Sequence, residues 1–371
     1  MICGVARVLR AGAVEGPGGL AYTRSTPPRF DNVNHSTSSR FDGVLPSDRP
    51  QARVLPLSRE VMDSVLVPAL DEDGIAPPAF DASADGRARA TDNGTLPSGR
   101  PGQRRVDLCS DLAIPALARA RGELTVKAPG ILCGVGVFAR ALELCDPDAQ
   151  IEVTGRDGDR VVPGTVVLRV LGRARALLYA ERTGLNFVQR LSGIATSTAR
   201  YVSLCAGRAR VLDTRKTTPN LRALEKYAVR CGGGVNHRFG LYDEAMLKNN
   251  HVDLAGRPLI EVLRGLRLGL SAGVRITCEA RDLAEAGAGV EGDADVVLLD
   301  NFTAGELALA VPILRASARG RSRPLEIEAS GGITEENVAA VAASGVDRIS
   351  VGALTHSVTA LDLSFYLRPA L

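Results

Sequence analysis

The sequence lacks a net charge of any size. Its 45 lysines and arginines stand against 42 aspartates and glutamates, leaving +3 over 371 residues. No global pull toward nucleic acid or an anionic membrane is expected, so any anion binding must come from local clustering. The seven cysteines are scattered, odd in number and never spaced C-x-x-C. That argues against a disulfide framework or zinc site and fits a reducing compartment. No apolar run has the length of a membrane span, because the candidate "ILCGVGVFARALELC" is broken by Arg140 and Glu143. A secretory signal is missing as well, since Arg7 and Arg10 interrupt any apolar core near the start.

The first forty residues carry Arg7, Arg10, Arg24, Arg29 and Arg40 against Glu15 and Asp31, with many Ser and Thr. Their composition resembles an organelle transit segment; a disordered tail, assigned here to residues 1–53, accounts for it more simply. A cytoplasmic protein is expected, with organellar targeting by that tail as the alternative. The stretch 71–105, rich in Gly, Pro, Asp, Ser and Arg, reads as a disordered insertion. Between them "SREVMDSVLVPALDED" reads as a helix.

From Gly122 to Ala180 the pattern is short strands and turns, with Asp157-Gly158 and Pro163-Gly164 as turn signals. Residues 54–181 are therefore expected to form an α+β domain. Leu177 to Cys205 carries apolar residues at helical spacing and reads as one long helix or a helix pair. The remaining stretch, 182–371, alternates strand and helix. Its candidate strands are Val211–Thr217, Gly233–His237, Met246–Asn250, Val274–Glu279, Asp295–Asp300, Leu325–Ala329 and Arg348–Val351. Pro219 suits the start of the helix "NLRALEKYAVRC". Thr303 and Glu306 make a capping box, and Thr334 is placed to cap a further helix. Such units imply parallel strands, and about seven of them are closer to an α/β barrel than to an open sheet, which stays as the alternative. The C-terminal end is a candidate to pack back on the first domain.

In such barrels the working residues sit where strands end. Read that way, one rim collects Arg215, Lys216, Arg238 and Lys248, with His237 and His251 beside them, then Glu279 and Asp300, then the turns Ser330-Gly331-Gly332 and Gly352-Ala353. The glycine turns suit a phosphate, through exposed amides and the helix N-terminus expected to follow. Four cations converging would repel one another unless a multiply charged anion fills the space, because nearby acids (Asp243, Glu244) are few. For any single lysine, such as Lys226 on its helix, a salt bridge or a solvated charge is the simpler reading. Glu279 and Asp300 suit Mg²⁺ bound through water, ribose hydroxyls or a developing positive charge. His356 lies within reach of a phosphate at Gly352, although a plain surface histidine would look the same.

The segments "ERTGLNFVQRLSGIAT", "DTRKTTPNLRALEKYAVRCGGGVNHRFGLYDEAMLKNNH", "LLDN", "EASGGI" and "ISVGALTHS" together resemble the quinolinate phosphoribosyltransferases, and "RVDLCSDLAIPA" resembles that family's early segment. The resemblance runs from about Val106 to the C-terminus. It implies an α+β sandwich domain joined to an open α/β barrel. It also implies transfer of phosphoribose from phosphoribosyl pyrophosphate to quinolinate, releasing pyrophosphate and CO2 and giving nicotinate mononucleotide for NAD biosynthesis. Mg²⁺ would accompany the donor, and the protein would be a homodimer or larger. By motif, Arg182 would be lent across the subunit interface. Arg215, Lys216, His237, Arg238 and Lys248 would bind quinolinate carboxylates and nearby donor groups. Glu279 and Asp300, with Lys216, would serve the chemistry, the two acids facing ribose and metal. Ser330, Gly331, Gly332, Gly352 and His356 would hold the 5-phosphate. A monocarboxylate acceptor would leave several cations unpaired. The chain departs from the family at Asn249, where an acid is frequent, at "RITCEA", which is less acidic than usual, and in the 71–105 insertion.

Overall fold

A computed structural model describes residues 54–73, 75 and 107–370. The 1–53 tail and almost all of the 71–105 insertion lie outside the described residues. The insertion's first residues, Asp71 and Glu72, belong to helix α1 (Arg59–Glu72), which Ser58 caps.

The first layer is an antiparallel sheet. Strand β1 (Arg119–Val126) follows the short α2 (Leu108–Ala113), whose cap Asp107 accepts from the Cys109 and Ser110 amides. Next come β2 (Gly130–Ile131), helix α3 (Val135–Cys145), and strands β3 (Gln150–Val153), β4 (Arg160–Val161) and β5 (Val166–Arg173). The turns at Gly158 and Gly164 have φ of 96° and 87°, as the Asp-Gly and Pro-Gly pairs require. The main sheet runs β12-β1-β5-β3, where β12 (Leu363–Pro369) is the end of the chain paired antiparallel to β1. Alternation along β1 buries Ala120, Leu124 and Val126 in the core and leaves Arg121 and Glu123 on the other face. Phe138 of α3 is wholly buried and meets Phe365 of β12 edge to face at 5.1 Å, so its truncation to Ala is expected to cost about 3–5 kcal/mol.

Helix α4 (Ala174–Cys205) is one continuous helix of 32 residues, which settles the choice between a single helix and a pair. It is the spine of the molecule. Thr196 Oγ1 accepts the Ile131 amide at 2.8 Å and Ser192 Oγ accepts that of Cys133 at 2.9 Å, both on the sheet side. On its barrel side it packs against α5 (Arg222–Cys231), and a single apolar core runs through both layers.

The barrel strands are β6 (Arg210–Leu212), β7 (Ala245–Leu247), β8 (Ile276–Ala280), β9 (Val296–Asp300), β10 (Glu326–Ser330) and β11 (Arg348–Ser350), ordered β6-β11-β10-β9-β8-β7 and parallel at every pairing. Helices α6 (Asn249–Ala255) and α7 (Leu259–Gly269) follow β7, α8 (Leu283–Glu291) follows β8, α9 (Ala304–Ser317) follows β9, α10 (Val338–Ala343) follows β10 and α11 (Ala353–His356) follows β11. The Thr303–Glu306 capping box opens α9 as expected.

Three expectations need correction. The strand expected at Gly233–His237 shrinks to a single parallel bridge, Leu212 to Val235. Gly232 packs so tightly on α4 that a Cβ there would strike the Ala195 carbonyl, and Gly233 takes φ of 86°, which breaks a ladder. Pro219 does not open α5, because Pro219 and Asn220 form a turn and the helix begins at Arg222. Thr334 likewise precedes a turn rather than a helix, since α10 starts only at Val338.

Candidate active site

The C-terminal ends of the barrel strands open on a cavity of about 570 Å³. Its lining includes Arg215, Lys216, His237, Arg238, Lys248, Glu279, Asp300, Ser330, Gly331 and Gly332. These are ten of the thirteen site residues expected from the sequence. Strand alternation explains the convergence: Lys248 follows β7 in register, and Glu279, Asp300 and Ser330 occupy inward positions of β8, β9 and β10.

The other three lie elsewhere. Gly352 and His356 sit beside the cavity, where a Cβ on Gly352 would come 3.2 Å from Lys216 Cδ and 3.0 Å from His356 Nε2. His356 is exposed, and its Nδ1 lies 2.6 Å from Ser357 Oγ. Arg182 is exposed on α4 and does not line its own chain's cavity.

The cations are poorly neutralised. Among the described residues Arg215, Lys216 and Arg238 form no ion pair, and the Arg215 Nε is buried without a hydrogen-bond acceptor. The two nearby acids are occupied: Asp243 accepts the Phe239 and Gly240 amides at 2.6 and 2.8 Å, and Glu244 accepts from Thr277 Oγ1 at 2.5 Å. Burial, followed by the neighbouring charge of Arg215, lowers the affinity of Arg238 for its proton. Lys248 alone is paired, at 2.9 Å from Glu279. Burial, followed by the charge of Glu279, raises the Asp300 carboxyl above its usual range, while Lys248, Lys216 and a 2.9 Å bond from Asn301 Nδ2 work the other way.

Beneath the rim lies a polar network that single-residue reading could not find. Lys226, expected to be salt-bridged or solvated, is buried and paired with Asp213, and its Nζ also donates to the His237 carbonyl at 2.9 Å. Asp213 accepts the His237 amide at 2.8 Å and Asn236 Nδ2 at 2.6 Å. Arg190 of α4 donates to Glu225 and to the Thr355 carbonyl, while Thr355 Oγ1 donates to the Lys216 carbonyl at 2.7 Å. These bonds hold the Arg215–Thr218 loop between α4, α5 and α11. The run Leu224-Glu225-Lys226-Tyr227 is buried throughout despite two charges, which its sequence does not signal.

The glycine turn after β10 has an altered rationale. Gly331 and Gly332 have φ of 89° and 62°, and a Cβ on Gly331 would run into Asn301 Oδ1. Asn301 itself sits at φ of 60°, a conformation that Asn tolerates. With α10 starting six residues after Gly332, an anion here would meet turn amides rather than a helix dipole.

Residues 107–192 match the family described as quinolinate phosphoribosyl transferase, N-terminal domain, and residues 194–366 match its C-terminal domain. The chain belongs to the quinolinate phosphoribosyltransferase family. It is 40% identical over 267 residues to the nicotinate-nucleotide pyrophosphorylase [carboxylating] of Mycobacterium leprae, covering 71% of this chain and 91% of that protein. It is 41% identical over 243 residues to a probable nicotinate-nucleotide pyrophosphorylase [carboxylating] of Bacillus subtilis, covering 65% and 81%. The crystal structure of NadC from Streptococcus pyogenes superposes with a TM-score of 0.71 at 32% identity, covering 85% of this chain and 99% of that one. Two plant relatives, from rice and Arabidopsis thaliana, are named chloroplastic. Among the described residues no helix is long and apolar enough to cross a membrane.

Proposed function

We propose that this family member transfers phosphoribose from phosphoribosyl pyrophosphate to quinolinate with decarboxylation, making it a carboxylating nicotinate-nucleotide diphosphorylase of NAD biosynthesis. The observation that carries the reading is the set of unpaired cations, Arg215, Lys216 and Arg238, lining one cavity with Glu279 and Asp300. Quinolinate brings two carboxylates and the donor several further negative charges. Uncompensated guanidinium and ammonium groups offset their mutual repulsion and raise the local concentration of both.

Arg215 and Arg238 suit the planar quinolinate carboxylates, with Lys216 and Lys248 as point charges between acceptor and donor. As pyrophosphate leaves with the C1–O electron pair, positive charge grows on the ribose ring, and the Glu279 and Asp300 carboxylates stabilise it. The pyridine nitrogen's lone pair then forms the new N–C1 bond. The positive ring nitrogen accommodates the electron pair that stays at ring C2 when CO2 departs, and a proton replaces the carboxylate there. Ser330, Gly331, Gly332, Gly352 and His356 take the 5-phosphate in this reading.

Mg²⁺ fits as part of the donor. Among the described residues no cluster of three or more His, Cys, Asp or Glu could hold an ion alone. Two hard carboxylates beside phosphate oxygens do suit it, with Glu279 and Asp300 facing it through water. The ion would neutralise charge on the departing pyrophosphate. We further place Arg182 in the cavity of a partner subunit within a homodimer, because it is exposed and absent from its own. A reducing, cytoplasmic setting agrees with the free thiols of the six described cysteines.

The test is turnover. Purified full-length protein mixed with quinolinate, phosphoribosyl pyrophosphate and Mg²⁺ is expected to release CO2 and pyrophosphate and to form nicotinate mononucleotide. Failure to form that nucleotide overturns the reading.

A further inference from the structure

His237 is held on every side. Its amide donates to Asp213 and its carbonyl accepts from Lys226. Its Nδ1 accepts the Arg238 amide at 2.7 Å. An accepting Nδ1 places the ring proton on Nε2. That nitrogen points away from the rim, toward a second buried ion pair on the cavity floor. Glu328 Oε1 lies 3.4 Å from Nε2, Arg348 Nε lies 2.7 Å from Glu328 Oε2, and Arg348 Nη2 approaches Nε2 to 3.2 Å. The carboxylate is wholly inaccessible, and Arg348 is 3% exposed. The Glu328 contacts are close but poorly aligned.

Two donors, the Nε2–H and the Arg348 guanidinium, therefore meet at one carboxylate. Without that carboxylate they would repel, and the ring would be free to turn or to exchange tautomers. Either change removes the acceptor for the Arg238 amide. Arg238 leaves the backbone at that point, and among the described residues its side chain has a single hydrogen bond, of 3.3 Å to the Glu244 carbonyl.

We propose that Glu328 and Arg348 are positioning residues that fix His237 as its Nε2–H tautomer and, through the Nδ1 bond, aim Arg238 at the acceptor carboxylates. This rests on the quinolinate reading above. The essential feature is an oxygen acceptor facing Nε2–H, and the charge of the pair is secondary. Ser330 follows Glu328 by two residues on β10, but the Nδ1 bond acts on Arg238 alone, so the loss is expected at the acceptor more than at the donor.

Two double variants separate these roles. Replacing a buried ion pair with groups of similar volume is frequently neutral for stability. Glu328→Gln with Arg348→Met keeps an acceptor; Glu328→Met with Arg348→Met removes it. Binding of quinolinate and of phosphoribosyl pyrophosphate is titrated separately on each and on the wild type. The acceptor-free pair is expected to weaken quinolinate at least tenfold while the donor stays within threefold. The Gln variant is expected to stay within threefold for both. Equal quinolinate affinity in the two double variants, or equal losses for both substrates, overturns the proposal. Should the acceptor-free variant not fold, nitrogen-15 spectra of the wild-type histidine rings decide, with the His237 signal assigned through His237→Gln. An Nε2–H tautomer supports the proposal, and an Nδ1–H tautomer or an imidazolium at pH 7.5 overturns it. A wild type that binds no quinolinate at all would instead remove the underlying reading, and the tautomer would still be legible.

Discussion

The two ends of the barrel handle positive charge in opposite ways. At the N-terminal end of the strands seven arginines are paired with acids. Arg210, Arg275 and Arg348 surround Glu326; Arg267, Arg321 and Arg323 share Asp293 and Asp295; Arg315 pairs with Asp347 at 2.7 Å. At the C-terminal end Arg215, Lys216 and Arg238 have none. One end is neutralised within the protein. The other holds its charge in reserve for something that arrives from solution. Clustered cations cost stability when unpaired, so their persistence at one end marks a binding site, whereas density of charge alone marks nothing.

Substitution should expose the contrast. The largest effect is expected for Arg215→Ala, which removes an unpaired guanidinium. Quinolinate affinity should fall by about 2–5 kcal/mol with no loss of thermal stability, read by calorimetry and a melt. A large stability loss would place Arg215 with the structural arginines of the other end. Gly331→Ala should follow, because φ of 89° and the abutting Asn301 strain any side chain. A cost of about 1–3 kcal/mol, seen in donor affinity more than quinolinate affinity, would place the strain at the phosphate turn. At the paired end, Asp295→Ala should cost about 1–3 kcal/mol of stability by denaturant titration and leave kcat/KM within about threefold. That carboxylate accepts from Arg267 and from the Ile276 amide, both at 2.8 Å.

Titration gives a finer test. Burial raises the Glu326 carboxyl, but hydrogen bonds from Arg275 and Arg210, then their charges, bring it down to about 2. A depressed folded-state value stabilises the fold above the ordinary glutamate range, and that contribution is lost as pH falls through about 2. Asp300 is shifted the other way, so it takes up its proton at a higher pH than an ordinary aspartate. If its anion is the working form, kcat/KM should decline as pH falls through that raised value while the fold persists. Asn301→Gly keeps the left-handed backbone but removes the bond to Asp300, so the acid limb should move to still higher pH. An unmoved limb would remove Asp300 from the chemistry.

The rim was legible in the sequence because strand–helix alternation fixes which residues end strands, and those residues carry the charge. Glu279, Asp300 and Ser330 fall where that grammar puts them. The strand expected at Gly233–His237 was not legible, because a glycine triplet compatible with a strand by pattern is used for close approach to α4. Lys226 illustrates a second limit. A lysine on a helix reads as solvated or locally paired, and only the fold brings Asp213 beside it. Glu328 and Arg348 were hidden for the same reason: each looks like a charge within an apolar strand until the barrel closes them on His237.

The central claim is that the unpaired rim cations are matched to a dicarboxylate. Parallel titrations of the wild-type protein with quinolinate and with nicotinate test it most directly. Loss of one charge-assisted contact of about 2 kcal/mol corresponds to about thirtyfold, so quinolinate should bind at least that much more tightly than nicotinate. Equal affinity for the two pyridines would contradict the account.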